Sequence, residues 1–313
     1  LMKLNLSKAR GFSSHRSGWS YCIESLRSFH SNVGLFVFDF MERDFSWELP
    51  QYYSSYNINK VPYKQPWIGF LHNPQNMPSW LDRYHSPQAI LAREAFQDSL
   101  PKCKAIFVLS DYLGDWLRQQ IDVPVFSVKH PTGPAPTWNP RLYLRDKKVI
   151  QVGYWLRRTE SIVKLKTSLP KYWLPSNPGT AHYTNQIWRQ STLDTHIEHE
   201  LAWRSVQTLE HLPDELYDKM YASSVAFVDL YDSSANNAVV EAVRRNTPIL
   251  INKHPAVVEY LGEDYPLYFD KVENARIRTE QVLEANRYLS RMDKSWIEGE
   301  RFALDVVRKI RSL

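Results

Sequence analysis

A chain of 313 residues has room for two domains of about 150 residues each. Hydrophobic residues make up 43% and charged residues 23%, ordinary for a soluble globular protein, and no apolar run reaches the ~18 residues of a membrane-spanning helix. The net charge of +5 suits an anionic small ligand, an anionic lipid surface or nucleic acid, but no aromatic RNA-binding motif or zinc-knuckle spacing supports nucleic acid. In chain order, MKLNLS (2–7) reads as a strand, GWSYCIESLRSF (18–29) as a helix, and VGLFVFDF (33–40) and WIGFLHN (67–73) as strands. SPQAILAREAFQDSL (86–100) has a Ser N-cap and Pro at the first helical position, so one helix is expected there. KAIFVLS (104–110) is a strand, SDYLGDWLRQQI (110–121) a capped helix and VPVFSVKHP (123–131) a further strand. Residues 129–148 hold four prolines and a glycine and read as a linker.

The pattern then restarts. KVIQVGYW (148–155) is a strand, 157–169 a short helix, 184–204 a helix, SVQTL (205–209) a weak strand and 212–224 a helix. VAFVDLY (225–231) is a strand, 236–246 a helix, TPILIN (247–252) a strand, 255–262 a short helix ending on Gly and PLYF (266–269) a strand. The tail, 279–313, reads as two helices. Strands alternating with helices predict parallel sheets covered on both faces, so the expected fold class is α/β with two Rossmann-like halves and a helical C-terminus reaching back. The expected domains are 1–135, 145–290 and a C-terminal helix at 291–313 that packs toward the first.

Cys22 and Cys103 form no CxxC pair, so a reducing compartment is the default expectation. The segment LMKLNLSKARGF lacks a following apolar stretch and is not read as a signal peptide. Aromatics are plentiful, at 13%, which serves core packing and also suits stacking against the C–H face of a sugar. HIEHE (196–200) sets His196 and His199 three apart, but it is neither HExxH nor its inverse and reads as a charged surface helix; no metal site is expected. Asp39 ends the second strand where dinucleotide folds bind a ribose, yet the preceding loop lacks GxGxxG, which argues against a nicotinamide enzyme.

The chemically informative stretch is YDSSANNAVVEAVRRNTPILINKHPAVVEYLG (231–262). In open α/β sheets ligands sit beyond the carboxyl ends of the strands. Here a strand ends, Ser233, Ser234, Asn236 and Asn237 follow, and a helix begins whose N–H groups and partial positive charge suit a phosphate or diphosphate. Glu241 lies in the second turn, where a carboxylate repels phosphate but can accept two hydroxyls such as those of a ribose. Diphosphate and ribose together describe a nucleoside diphosphate. The alternative is that Ser233 and Asn236 only cap the helix and Glu241 is a solvated helix residue.

Residues 212–269 resemble the nucleotide-sugar-binding half of GT-B-fold glycosyltransferases, most closely the large retaining group with an acid-x7-acid signature. Glu241-Ala242, Pro248 and Glu259-Tyr260-Leu261-Gly262 carry the match, and the order of elements agrees over roughly 145–270. The resemblance implies two Rossmann-like domains facing across a cleft, with closure about a hinge at 131–144. It implies transfer of a sugar from a nucleotide-diphosphate sugar to a glycan, lipid or protein-linked acceptor, without a metal or other cofactor. Glu241 inherits the donor-ribose role. Ser233 stands where the first acid is expected, with Asp232 one residue away, and Asn246-Thr247 stand in place of the usual Gly before Pro248. After the first strand of the second half, Gly153, Arg157 and Arg158 occupy the positions of a basic diphosphate site, Arg157 or Arg158 being the candidate to neutralise the leaving diphosphate and Arg158 the one assigned a catalytic role. His72, at the end of a first-half strand, is expected to bind a sugar hydroxyl or act as a base, and the loop 7–19, with Gly18 and Trp19, to face the acceptor. No DxD motif in a metal-holding context is present. A cytoplasmic enzyme is expected, with peripheral contact to a membrane compatible with the basic charge. Two other readings are a catalytically weak relative acting as a glycan- or nucleotide-sugar-binding partner, kept open by Ser233, and a nucleotide-sugar epimerase.

Overall fold

The structure is a computed structural model that describes residues 3–11, 18–47, 61–81, 83–175, 189 and 203–313. It comprises two compact units: Leu1–Gly133 with Ser233–Ala235 and Ser295–Leu313, and Pro134–Asp232 with Asn236–Lys294.

The first unit is built on a parallel sheet of five strands in the order β1-β2-β3-β4-β5: Leu4–Asn5, Leu35–Phe38, Trp67–Leu71, Cys103–Val108 and Val125–Ser127. β3, WIGFL, is buried along its whole length, as an unbroken apolar run must be when both faces of a parallel sheet are covered. On one face Leu4, Ile68, Phe70 and Phe107 pack with Trp19, Cys22 and Ile23 of α1 (Trp19–Ser25) and with Phe302, Val306 and Ile310 of the last helix, Gly299–Arg311. That spacing of three to four residues is the apolar stripe of an amphipathic helix. Gly299 permits the helix to approach, since a Cβ there would collide with Ser25 of α1. The other face carries Phe38, Trp67 and Ile106 against Ile90, Phe96, Leu113 and Leu117.

The helix expected over 86–100 is two: α2, Pro87–Leu91, capped by Ser86, and α3, Glu94–Ser99. Arg93 is extended between them, and its guanidinium donates to the Tyr84 carbonyl and the Ser46 hydroxyl. This tertiary demand overrides local helix propensity. α4, Asp111–Arg118, starts as expected on Ser110, whose hydroxyl accepts from Leu113 N–H. Within the proline-rich segment Pro140–Arg145 forms a helix, α5, capped by Asn139.

The second unit has a parallel sheet of six strands in the order β8-β7-β6-β9-β10-β11, with β6 Val149–Val152, β7 Lys171–Leu174, β8 Val206–Thr208, β9 Val225–Val228, β10 Ile249–Asn252 and β11 Tyr268–Phe269. The chain winds outward in one direction from β6 and, from β9, in the other. β7 is a correction, since the sequence reading assigned no strand to KYWL. The preceding helix shrinks to α6, Ser161–Lys164, and Pro170 stands just before β7, where its missing N–H removes no bond from within the strand and its carbonyl accepts from Val149 N–H. The helix expected at 184–204, including HIEHE, lies almost wholly outside the described residues. Further on come α7 Asp214–Tyr221, α8 Asn237–Arg245, α9 Pro255–Leu261 and α10 Thr279–Arg291; Gly299–Arg311 is then α11. Among the described residues no helix is long and apolar enough to cross a membrane.

Candidate functional site

Strand order reverses between β6 and β9, the position at which open α/β sheets take their ligands, and the loops leaving the carboxyl ends of these two strands meet there. Both loops are tightly shaped. After β6, Gly153 has φ +78°, and a Cβ there would lie 3.1 Å from the Arg157 Cζ, so glycine serves both the turn and the guanidinium packed against it. Arg157 forms an antiparallel bridge with Leu230 from the loop after β9. Asn252 at the end of β10 holds Leu230 from the other side, accepting from its N–H at 2.8 Å and donating to its carbonyl at 3.1 Å.

The two arginines differ. Arg158 is 37% exposed, donates to Asp229 Oδ1 at 2.9 Å and to the Leu230 carbonyl, and stacks over Tyr231 at 4.5 Å. Asp229 also accepts from Ser161 at 2.6 Å, and its burial pushes its carboxyl up while Arg158 holds it down. Arg158 is therefore neutralised where it stands. Arg157 is 8% exposed and makes no ion pair among the described residues. It donates to the Trp155 carbonyl at 2.9 Å and to Asn236 Oδ1 at 3.2 Å, and its Nε has no hydrogen-bond partner among the described residues. Burial lowers its pKa from 12.5 to about 10, so it stays a cation at neutral pH, in a place that water has largely left.

Asn236 is the N-cap of α8; its Oδ1 accepts from Ala238 N–H at 3.0 Å as well as from Arg157. The start of α8 thus combines a helix N-terminus and a guanidinium in ion-pair contact with no carboxylate among the described residues, the charge of Glu241 acting on it only from further off. Asn237 opens the helix and is half-buried. Glu241 follows in the second turn, 8% exposed, with Oε2 accepting from Tyr217 Oη at 2.6 Å and from Arg245 Nη1 at 3.5 Å. Arg245 also pairs with Asp218 and lies over the rings of Tyr217 and Tyr221 at 5.8 and 5.5 Å. The helix ends on Asn246 at φ +58°, the left-handed position that glycine usually takes and asparagine tolerates.

The structure therefore brings Gly153, Arg157, Asn236 and Glu241 together in the second unit, with Arg158 at the edge of the same loops. Ser233 and Ser234 group with the first unit; both are buried, and the Ser234 hydroxyl lies 3.1 Å from that of Ser110. Asp232 is buried in the second unit with Oδ1 2.8 Å from His254 Nε2. His254 Nδ1 accepts from Ala256 N–H, so Nε2 carries the proton and donates to Asp232. Sequence reading missed Tyr217, Asp218 and Arg245. Their only signal is the pair of tyrosines four apart in DELYDKMY, which marks a buried helix face but not what it touches.

In the first unit His72 follows β3 and Asp39 follows β2. His72 Nε2 donates to the Asp39 carbonyl at 2.9 Å, and the ring stacks on Phe40 at 3.9 Å and meets Trp19 edge-on at 4.3 Å. Gly18 is the N-cap of α1, and the Trp19 indole N–H donates to Asp39 Oδ2 at 3.1 Å. Asp39 also accepts from Gly11 N–H and pairs with Arg43 at 2.5 Å, so its carboxylate is consumed by the protein rather than offered to a ribose. Glu42 is wholly buried; Oε1 accepts from the N–H groups of His72 and Asn73 at 2.7 and 2.6 Å, and Oε2 has no hydrogen-bond partner among the described residues. Burial raises its pKa from 4.5 to about 7.

No protein-family model matches the chain, and no curated protein sequence matches it. Solved structures do. Sucrose-phosphate synthase from Thermosynechococcus elongatus aligns with a TM-score of 0.64 at 13% identity, over 89% of this chain and 73% of that one. Anabaena HepE in complex with UDP and glucose aligns with a TM-score of 0.54 at 13% identity, over 79% and 72%. An α,α-trehalose-phosphate synthase (UDP-forming) from Burkholderia vietnamiensis aligns with a TM-score of 0.51 at 12% identity, over 94% and 78%. The chain has the fold of the GT-B glycosyltransferases.

Proposed function

We propose that this chain is a glycosyltransferase that draws its sugar from a nucleotide-diphosphate donor. The observation that carries the reading is the buried Arg157, a cation without an ion pair among the described residues, bonded to the residue that caps α8, with Glu241 one turn further along that helix. A diphosphate at the helix start would supply the missing anion, and the adjoining ribose would fall beside Glu241. The basic side chain and the helix N–H groups would neutralise the leaving diphosphate without a metal ion. UDP in the HepE complex and the UDP-forming synthase are in keeping with this class of donor. The acceptor would be a glycan, a lipid- or a protein-linked sugar. His72, held between Phe40 and Trp19, is the first-unit residue proposed to meet a sugar hydroxyl. Such a donor and two free cysteines suit a reducing, cytoplasmic setting.

A second reading, a binding relative with weak or no turnover, is favoured by one feature: Ser233 stands at the first-acid position and the neighbouring Asp232 carboxylate is engaged by His254. Turnover separates the two. Incubated with UDP-, GDP- and ADP-glucose, the protein is expected to release nucleoside diphosphate from at least one, if only by slow hydrolysis. Saturable binding with no release from any of them supports the binding relative, and neither binding nor release overturns both.

A further inference from the structure

Glu241 can hold two ribose hydroxyls only if its carboxylate is fixed in plane and position, because a glutamate side chain left to rotate loses that entropy on binding. The fixing comes from α7 and from the next turn of α8. Tyr217 Oη donates to Glu241 Oε2 at 2.6 Å and Arg245 Nη1 approaches the same oxygen at 3.5 Å. Tyr217 is itself immobilised: its ring stacks on Tyr221 at 5.5 Å and Arg245 lies over both rings. Arg245 is anchored at its far end by Asp218, one residue after Tyr217. Tyr217, Asp218, Arg245 and Glu241 form a brace between the two helices, and the contacts of Tyr217 and Arg245 to Glu241 both fall on Oε2.

We infer that Tyr217 is a positioning residue that sets the Glu241 carboxylate for recognition of the donor's ribose, so that the ability to tell a ribonucleotide from a deoxyribonucleotide resides in α7 as much as in Glu241. This rests on the donor reading given above. Tyr221 supplies an internal control. It is an equally buried tyrosine in the same stack, but its hydroxyl donates to the Ala238 carbonyl at 2.7 Å and not to Glu241.

The test is calorimetric titration of the full chain with UDP, GDP and ADP, each beside its 2′-deoxy counterpart, in the wild type, Tyr217→Phe and Tyr221→Phe. The wild type is expected to prefer the ribonucleotide by about tenfold or more, the worth of a hydrogen bond to a charged group. Tyr217→Phe keeps the ring stack and is expected to lower that preference at least about threefold by weakening the ribonucleotide alone, and Tyr221→Phe to leave it unchanged. A wild type that binds none of the diphosphates overturns the donor reading, and one that binds ribo and deoxy forms equally overturns the ribose role of Glu241. A wild type that discriminates, with Tyr217→Phe discriminating equally, or with Tyr221→Phe losing as much, overturns the role of Tyr217 and leaves the donor reading intact. Should Tyr217→Phe melt uncooperatively, Arg245→Lys, which shortens the brace from its other side, is read against the same ratio with the same outcomes.

Discussion

Arg157 and Arg158 are adjacent in sequence and opposite in circumstance. Arg158 has a carboxylate at 2.9 Å, and removing it would strand the buried Asp229. Arg157 has only neutral oxygens at 2.9 and 3.2 Å. A buried ion deprived of its partner is costly, whereas a buried cation that has none is replaced by an apolar group at little cost. Arg158→Met should therefore lower the melting temperature, while Arg157→Met should hold or raise it and weaken nucleoside diphosphate binding about tenfold or more. Melting curves and titrations of the two variants decide this; an Arg157 variant that loses stability and keeps its affinity marks that guanidinium as scaffold. The sequence showed two arginines at the right distance after Gly153 but not which one would be spent. That depended on Asp229, which is 71 residues from Arg158 and comes beside it only when β6 and β9 pair. Under the proposed reading it is Arg157, of the two candidates, that meets the diphosphate.

At the scale of elements, the local signals were strongest where a segment settles its own boundaries. Ser110, Asn236 and Pro255 start their helices through side chains or ring geometry that act within one turn. Asn246 closes α8 in the left-handed conformation that explains how asparagine fills the glycine position of the family pattern. Legibility failed where tertiary contacts decide: the break at Arg93, made for Ser46 and Tyr84, and β7, too short to show a period. It failed too for Glu42, which pins the end of β3 through two backbone N–H groups and whose role no pattern announces. Burial raises the folded-state pKa of Glu42 from 4.5 to about 7. Between those values the native protein binds more protons than the unfolded chain, so stability declines as pH rises through that window and levels off above about 7. Each unit of such a shift corresponds to about 1.4 kcal/mol, so the decline from this one group amounts to roughly 3 kcal/mol. Glu42→Gln keeps an acceptor for His72 and Asn73 without the charge. Denaturant melts of both proteins at pH 5 and pH 8 should show the variant gaining on the wild type at the higher pH; parallel curves would mean that the carboxyl titrates as an ordinary surface acid.

For the molecule as a whole, the alternation of strands and helices is enough to foresee two parallel-sheet α/β regions, while the GT-B fold is implied by the resemblance of residues 212–269 and is shared with the solved structures. What alternation cannot supply is strand order. The reversal between β6 and β9 emerges only from the pairing, and it is this reversal that marks where such a sheet takes a ligand. The serines illustrate the limit. Adjacent to Asn236 in sequence, Ser233 and Ser234 belong with the first unit, because a chain that passes from one compact unit to another divides a contiguous motif. The account turns on the claim that the second unit grips a nucleoside diphosphate at the start of α8 and its ribose at Glu241. Calorimetric titration of UDP, GDP and ADP into the wild type and Glu241→Ala, with the melt of the variant recorded alongside, tests it most directly. The account predicts saturable binding of at least one diphosphate by the wild type and a loss of about tenfold or more in a variant that still melts cooperatively. No binding by the wild type, or equal affinity in the folded variant, would contradict it.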